Sequence, residues 1–437
     1  MRMVKSIIER FKNSKIIKNS IWMILATIVQ MVISLFINIF VARYLGVNNY
    51  GILNYGLSFV NFFLAICNLG LNTIVIKYLI DEKNNHGEIL GTCILLRFFA
   101  GLISMLLIFL IVFILKGNDK LIIYTTVLQS ISLIFDSFST ISLWYQHRLE
   151  SKFIAIITFF AYICMALYKV YLLIAKKNLL WFAVSHCVSG LVTSILLFLL
   201  YNYHKGPKFK FSLKKGLKML RQSYHFIISS LMVAVYAQID KIMIGSMIND
   251  ISAVGYYSVA TTIVSLWSFL PTAVNHSFQP VILEAKNKNE NDYQNKMKQL
   301  YSIIIWLSIA YTIFILIFGR LLIIILYGKE YLAGLSALKI CIFGVTFSFI
   351  GVVREFWLIC ENKQKYAKWF ALIGVVTNIV INAILIPYFG INGAAIATAL
   401  TQFMTGIIAS LIFKDTRDSF YHVMCGLTFN FKSQKQL

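Results

Sequence analysis

Twelve times along this chain, a run of apolar residues continues for the positions an α-helix needs to cross a hydrocarbon slab. At roughly 1.5 Å of rise per residue, a slab of about 30 Å takes about 20 residues. Between breaks rich in charge, Asn, Gly or Pro, the runs cover 20–44, 52–76, 89–115, 121–143, 153–175, 180–203, 222–248, 253–281, 299–326, 333–359, 366–387 and 391–413. A soluble domain would interrupt such runs with a polar face. Here 59% of the 437 residues are hydrophobic, 13% are charged and the mean hydropathy is +0.77. The predicted fold class is therefore all-α: a polytopic integral membrane protein of twelve transmembrane helices. Pro271 and Pro280 both fall in the eighth run and predict a kink there, because proline removes a backbone donor and crowds the preceding turn.

The net charge of +23 would suit a nucleic-acid binder if it were gathered on one face. Its distribution points elsewhere. The N-terminal tail, the even-numbered loops and the C-terminal tail hold 28 Lys and Arg, and the odd-numbered loops hold 6. This asymmetry is the positive-inside pattern, which puts both termini in the cytoplasm and the protein in the cytoplasmic (inner) cell membrane, with no nucleic-acid partner. Residues 1–19 read as a basic, periodically apolar cytoplasmic segment suited to an anionic leaflet, or as a topogenic tail alone. No small-residue cleavage site follows the first run, which reads as a retained span.

Chemistry of the enzymatic kind finds no residues to carry it. The seven cysteines lack a CxxC spacing, the seven histidines lack a ligand spacing such as HExxH, and no G-x-x-x-x-G-K-[ST] loop occurs. No metal or cofactor is implied, and the external loops, about 4 to 10 residues long, leave little room for a catalytic domain. His186 and His276 are embedded and solitary, the usual setting of a satisfied packing residue. Trp22, Trp144, Trp181, Trp357 and Trp369 fall near predicted span ends, where interfacial aromatic belts lie.

The longest polar interruption, 204–221, divides the runs six and six and reads as a basic cytoplasmic linker between an N-lobe, 20–203, and a C-lobe, 222–413; residues 414–437 form a cytoplasmic tail. Two pairs of segments repeat in the same order in both halves. LWYQHRLESKF (143–153) and FWLICENKQKY (356–366) superimpose at a constant offset of 213, and LGVNNYGILNYG (45–56) parallels IGSMINDISAVGYYSVA (244–260). An even number of spans per repeat gives both lobes one orientation, with the transport path in a central cleft between them.

Ions inside the runs are the strongest functional signal, since an ionisable group in hydrocarbon costs a few kcal/mol and is kept only where it pairs or faces a polar interior. Arg97 and Asp136 fall at similar depth on adjacent helices, so a structural ion pair and a substrate or proton role both stand open. Lys169 lies in the outer part of the fifth run at the depth of the Asp240–Lys241 pair in the seventh, suggesting a gate, with outward snorkelling as the competing reading. Arg354 and Glu355, near the inner end of the tenth run, read as interfacial anchors.

VARYLGVNNYGILNYGLSF (41–59), DKIMIGSMINDISAVGYYSVA (240–260) and IPYFGINGAAIATAL (386–400) resemble, at matching places, the polysaccharide flippases of the multidrug/oligosaccharidyl-lipid/polysaccharide exporter superfamily, in particular O-antigen and related Wzx-type repeat-unit translocases. The resemblance implies a non-enzymatic flippase that moves an undecaprenyl-pyrophosphate-linked oligosaccharide from the inner to the outer leaflet by alternating access. Its partners would be that lipid-linked substrate, membrane lipids, and a polymerase and glycosyltransferases of the same pathway. It makes Arg43, Lys241, Lys77 and Arg97 candidates for the pyrophosphate and sugar, and Asp240, Lys169 and Asp136 candidates for gating or for coupling to protons or sodium. A drug/cation antiporter of the same superfamily is the alternative, followed by a glycan polymerase or ligase and by a structural membrane protein.

Overall fold

The computed structural model describes residues 15–82 and 84–428, with side chains from Val29 onward. The amphipathic segment expected at 1–19, Trp22 and the last nine residues of the tail lie largely or wholly outside the described residues. Among the described residues the chain is helical without strands, and eleven helical segments are long and apolar enough to cross a membrane. The first of these, Val29–Asp81, takes in the first two predicted runs. Its leading helix α1 (Lys15–Cys67) is broken at Gly46, which sits at φ 71° and ψ 173°. A Cβ there would meet nothing within 4 Å, so the demand for glycine is conformational and not steric.

Residues up to Ala234 form one compact unit and residues from Val235 a second. In the first, α1 packs on α3 (His86–Lys116), α4 (Lys120–Ser130) and α7 (Ser151–Ile174), and α7 packs on α8 (Leu179–Tyr203). A short helix, α2 (Leu71–Asp81), lies against α6 (Thr140–His147). The fourth predicted run is not one helix. After α4 it continues as α5 (Ser132–Asp136), a 3-10 turn over Ser137–Ser139, and α6. The cause is local: the hydroxyls of Ser130, Ser132, Ser137 and Thr140 each donate to a carbonyl three residues back, at 2.7–2.8 Å, drawing those carbonyls from the α-ladder.

The second unit is built on α12 (Glu290–Leu322), α13 (Leu335–Cys360), α14 (Ala367–Phe389) and α15 (Ile391–Phe403). The eighth predicted run is broken as its prolines predict: α10 (Ser252–Ser265) ends, three residues turn, and α11 (Phe269–Lys288) starts with Pro271 in its first turn. Helix α9 (Leu213–Met247) carries the division between the units.

Two polar segments are more ordered than their sequence suggests. The predicted linker is a strap only as far as Ser212. Lys210 N–H donates to the Gly87 carbonyl (3.1 Å), Ser212 N–H to Thr92 Oγ1 (3.0 Å) and the Tyr201 hydroxyl to the Pro207 carbonyl (2.6 Å), while Phe209 stacks on Tyr201 at 4.8 Å. From Leu213 it is already α9, with Gly216, Met219 and Ser223 buried at helical spacing. Lys215 then bridges Glu82 (2.8 Å) and Glu88 (2.9 Å), and its hydrogen bond holds the Glu82 carboxyl below its ordinary range. In the tail, beyond the short α16 (Ala409–Ile412), α17 (Arg417–Thr428) packs on α12 with Ser419, His422, Val423 and Gly426 buried, and Ser419 Oγ lies 2.8 Å from the Tyr301 hydroxyl.

The repeat read from the sequence recurs in the backbone. Leu149 and Asn362, 213 positions apart, both take positive φ, at 58° and 54°. Each closes the same helix-ending turn: Glu150 N–H to the Tyr145 carbonyl in one unit, Lys363 N–H to the Leu358 carbonyl in the other. Trp144 and Trp357 precede these turns, each with a cation over its ring, Arg148 at 4.5 Å and Lys363 at 4.9 Å. Both indoles are buried and do not sit in an interfacial belt; packing under the turn wins over the aromatic preference for the headgroup layer.

Candidate functional site

In the first unit the central feature is Arg97, on the inward face of α3 and 2% exposed. The broken fourth run delivers two hydroxyls to it, Ser139 Oγ and Thr140 Oγ1, at 3.4 and 3.3 Å from Nη1. Between α1 and α2 the chain turns through Leu69 and Gly70, both at positive φ, and this presents the Asn68 carbonyl and Asn72 Oδ1 to Nη2 at 3.3 and 2.6 Å. A side chain at residue 70 would drive its Cβ to 2.7 Å from the Phe226–Ile227 backbone, so this turn requires glycine twice over. Nε has no acceptor. Asp136 lies near enough for its charge to be felt, yet the two form no salt bridge among the described residues. The guanidinium is therefore caged by neutral dipoles, and of the two readings left open by the sequence the direct Arg97–Asp136 ion pair is not formed among the described residues. A buried cation hydrogen-bonded only to neutral groups is a fixed positive centre in a low-dielectric setting, where it acts over a longer range than in water.

Lys169 is also buried, with Nζ 3.4 Å from Asn38 Oδ1, and Asn38 in turn donates to Ser34 Oγ at 3.2 Å. It points inward to this amide instead of snorkelling toward Lys176 and Lys177. Arg43 and Lys77 are exposed, so neither belongs to a buried cage. Helix α2 nonetheless gives Lys77 the same element as Asn72 and hence ties its position to Arg97.

In the second unit the central feature is a buried acid. Asp240, on α9, is 9% exposed and accepts from three helices: the Tyr257 hydroxyl of α10 (2.8 Å), Thr398 Oγ1 of α15 (2.6 Å) and Asn382 Nδ2 of α14 (2.6 Å). Asn382 also donates to Asn378 Oδ1 at 3.1 Å, while Asn382 Oδ1 and Asn378 Nδ2 have no partner. Lys241 beside it is half-buried. Two hydroxyls and an amide N–H thus converge on one buried carboxylate, and all three partners are neutral. No group of three or more His, Cys, Asp or Glu side chains comes together among the described residues. Arg354, expected as an interfacial anchor, is buried instead: Nη1 reaches the Thr405 carbonyl and the guanidinium lies 4.2 Å over the Phe370 ring. The π-helical turn over Met404–Ile408 is what frees that carbonyl.

Sequence reasoning found Arg97 and Asp240 but missed the groups that hold them: Asn72, Tyr257, Asn382 and Thr398. A signal was available for one pair, since Asn378 and Asn382 stand four apart in an otherwise apolar run and must share a face.

Known proteins agree with this architecture. Residues 16–285 match the model of a family described as polysaccharide biosynthesis protein. The chain belongs to that family. Among curated relatives, it is 28% identical over 194 residues to a probable low-salt glycan biosynthesis flippase, Agl15, of Haloferax volcanii, covering 44% of this chain and 40% of that protein's length. It is 19% identical over 393 residues to the capsular polysaccharide biosynthesis protein CapF of Staphylococcus aureus, covering 89% of this chain and 96% of CapF. In fold it resembles the lipid II flippase MurJ in an inward closed conformation (TM-score 0.72, 17% identity, 94% of this chain and 92% of that one). It also resembles an inward-facing multidrug resistance MATE family transporter of the MOP superfamily (TM-score 0.67, 13% identity, 90% and 95%). The resemblance to polysaccharide-handling proteins read from the three motifs therefore holds at the level of this family, and the fold is shared with both of these membrane proteins.

Proposed function

We propose that this member of the polysaccharide biosynthesis family is a flippase that carries a pyrophosphate-linked oligosaccharide on an undecaprenyl lipid from the inner to the outer leaflet of the cytoplasmic membrane. Twelve crossings would form two six-helix lobes around a central cleft, the 53-residue first segment counting as two, with both termini cytoplasmic. The observation that carries this reading is Arg97, a buried cation whose hydrogen-bonding partners are all neutral. A pyrophosphate must leave water to cross the membrane, and fixed cations offset that desolvation. Arg97, Arg43, Lys77 and Lys241 are assigned to the head group. Asp240, whose carboxylate sits among exchangeable hydroxyl and amide partners, is assigned to coupling, taking up a proton or sodium ion; Lys169 and Asp136 are assigned to gating. A polymerase and glycosyltransferases would act before and after it.

The buried acid also favours a second reading, an ion-coupled drug/cation antiporter, because a carboxylate is what an organic cation would seek. Replacing Arg43 and Lys241 together by alanine separates the two. The flippase reading expects lipid-linked glycan to accumulate inside the cell and surface glycan to fall at least tenfold. Unchanged surface glycan, with drug efflux by the purified protein in vesicles, would reverse the assignment.

A further inference from the structure

The crossing segment Ser252–Lys288, which contains the eighth predicted run, is the least apolar of the eleven candidate crossing segments. Its second helix, α11, carries a row of Thr272, Asn275, His276 and Gln279, whose spacings of three and four put them on one helix face. Thr272 and His276 are exposed, Asn275 and Gln279 half-buried, and the buried side of the helix, Pro271, Ile282 and Ala285, borders the row at Asn275. None of the four side chains makes a hydrogen bond within the described residues, and Asn275 Oδ1 is fully enclosed without a donor. Nearby hydroxyls behave differently: Ser277 donates to the Ala273 carbonyl and Ser265 to the Thr262 carbonyl, both at 2.9 Å. His276, expected as a satisfied packing residue, is not one.

Unpaired amides and hydroxyls facing lipid tails would be costly, so this face must meet water or a hydrogen-bonding ligand. Its chemistry restricts that ligand. From Thr272 to Gln279 the helix carries no carboxylate, lysine or arginine, which suits neither an organic cation nor a phosphate. Hydroxyl, amide and imidazole groups in a row match a neutral, hydroxyl-rich solute. We propose that the Thr272–Asn275–His276–Gln279 face is the surface that contacts the sugars of the transported lipid, separate from the cations assigned to its pyrophosphate. The inference rests on the flippase reading and adds a glycan-contacting element to it.

The test uses the full-length protein in nanodiscs and two probes: bare undecaprenyl pyrophosphate, and the pyrophosphate-linked glycan lipids extracted from the cells that make this protein. Wild type should bind the glycan lipids at least tenfold more tightly than the bare lipid. An Asn275→Leu, Gln279→Leu double variant should bind both alike, at the bare-lipid affinity, whereas Ser277→Leu on the neighbouring face should keep the tenfold preference. If the double variant does not purify, Asn275→Ala and Gln279→Ala singly should each reduce the preference severalfold. A double variant, or both single variants, retaining the full preference would overturn the proposal, as would a wild type with no preference. A wild type that binds neither probe would remove the flippase reading itself, a result distinct from loss of preference alone.

Discussion

Replacing Asp240 with alanine looks on first count like the loss of three hydrogen bonds in a buried site, each leaving a donor that costs about 1–3 kcal/mol when unpaired. The geometry predicts much less. The Thr398 hydroxyl already lies 3.0 Å from the Ala394 carbonyl and can give its proton there. The Tyr257 hydroxyl lies 2.9 Å from Thr398 Oγ1 and can donate to it. Asn382 keeps one N–H on Asn378. A single N–H of Asn382 is stranded, so the expected loss is about 1–3 kcal/mol, offset in part because a buried charge is removed as well. Asp240→Asn should lose less still: its oxygen can accept from Asn382, and its new amide hydrogens can meet the lone pairs that Tyr257 and Thr398 expose once they donate onward. Thermal unfolding in detergent should therefore rank wild type and Asp240→Asn together, with Asp240→Ala a few degrees lower, at roughly 2–4 °C per kcal/mol for a unit of this size. Export of lipid-linked glycan, measured as surface glycan in a deletion strain, should fail in both variants, because neither can carry the charge. An asparagine variant that exports normally would refute the coupling role. One that melts below the alanine variant would refute the assignment of the protons.

Two further outcomes follow from close contacts and from charge. Gly393→Ala would put a Cβ 2.3 Å from the Leu385 carbonyl oxygen, backbone against backbone with nothing free to rotate, and should destabilise the second unit by about 1–3 kcal/mol; Gly351→Ala, with nothing within 4 Å, should be neutral or slightly stabilising in the same melt. Glu82, lowered by its bond to Lys215, contributes stability that is present above the ordinary carboxylate range and is lost as pH falls through its lowered value. Protection of the 204–212 strap amides from hydrogen exchange, taken relative to the intrinsic rate at each pH, should therefore be high at neutral pH and fall below about pH 4, and Glu82→Gln should show lower protection already at neutral pH.

What the sequence made legible was whatever hydrocarbon makes expensive. Arg97, Lys169 and Asp240 stand out in apolar runs because an ion there needs a reason, and all three are buried. The prolines of the eighth run and the 213-residue repeat were readable for similarly local causes, a missing donor and a recurring turn. Partners were not readable, because which hydroxyl faces Arg97 depends on a helix broken by four serine and threonine side chains and on a turn at Gly70 held by packing. Hydropathy also passed over α17 and the first turns of α9, where one narrow face of small or modestly apolar residues suffices for docking. Trp144 and Trp357 misled for a related reason: proximity to a span end does not tell whether a ring faces headgroups or the underside of its own turn.

The strap between Tyr203 and Leu213 has a practical corollary for anyone wishing to label this protein. The longest hydrophilic gap in a polytopic chain is the customary place to splice in a fluorescent reporter or a protease site, on the assumption that it is slack. Here the Lys210 and Ser212 amides are committed to the Gly87 carbonyl and the Thr92 hydroxyl, and the Pro207 carbonyl is held by Tyr201, so added sequence would have to displace these contacts before it could loop out.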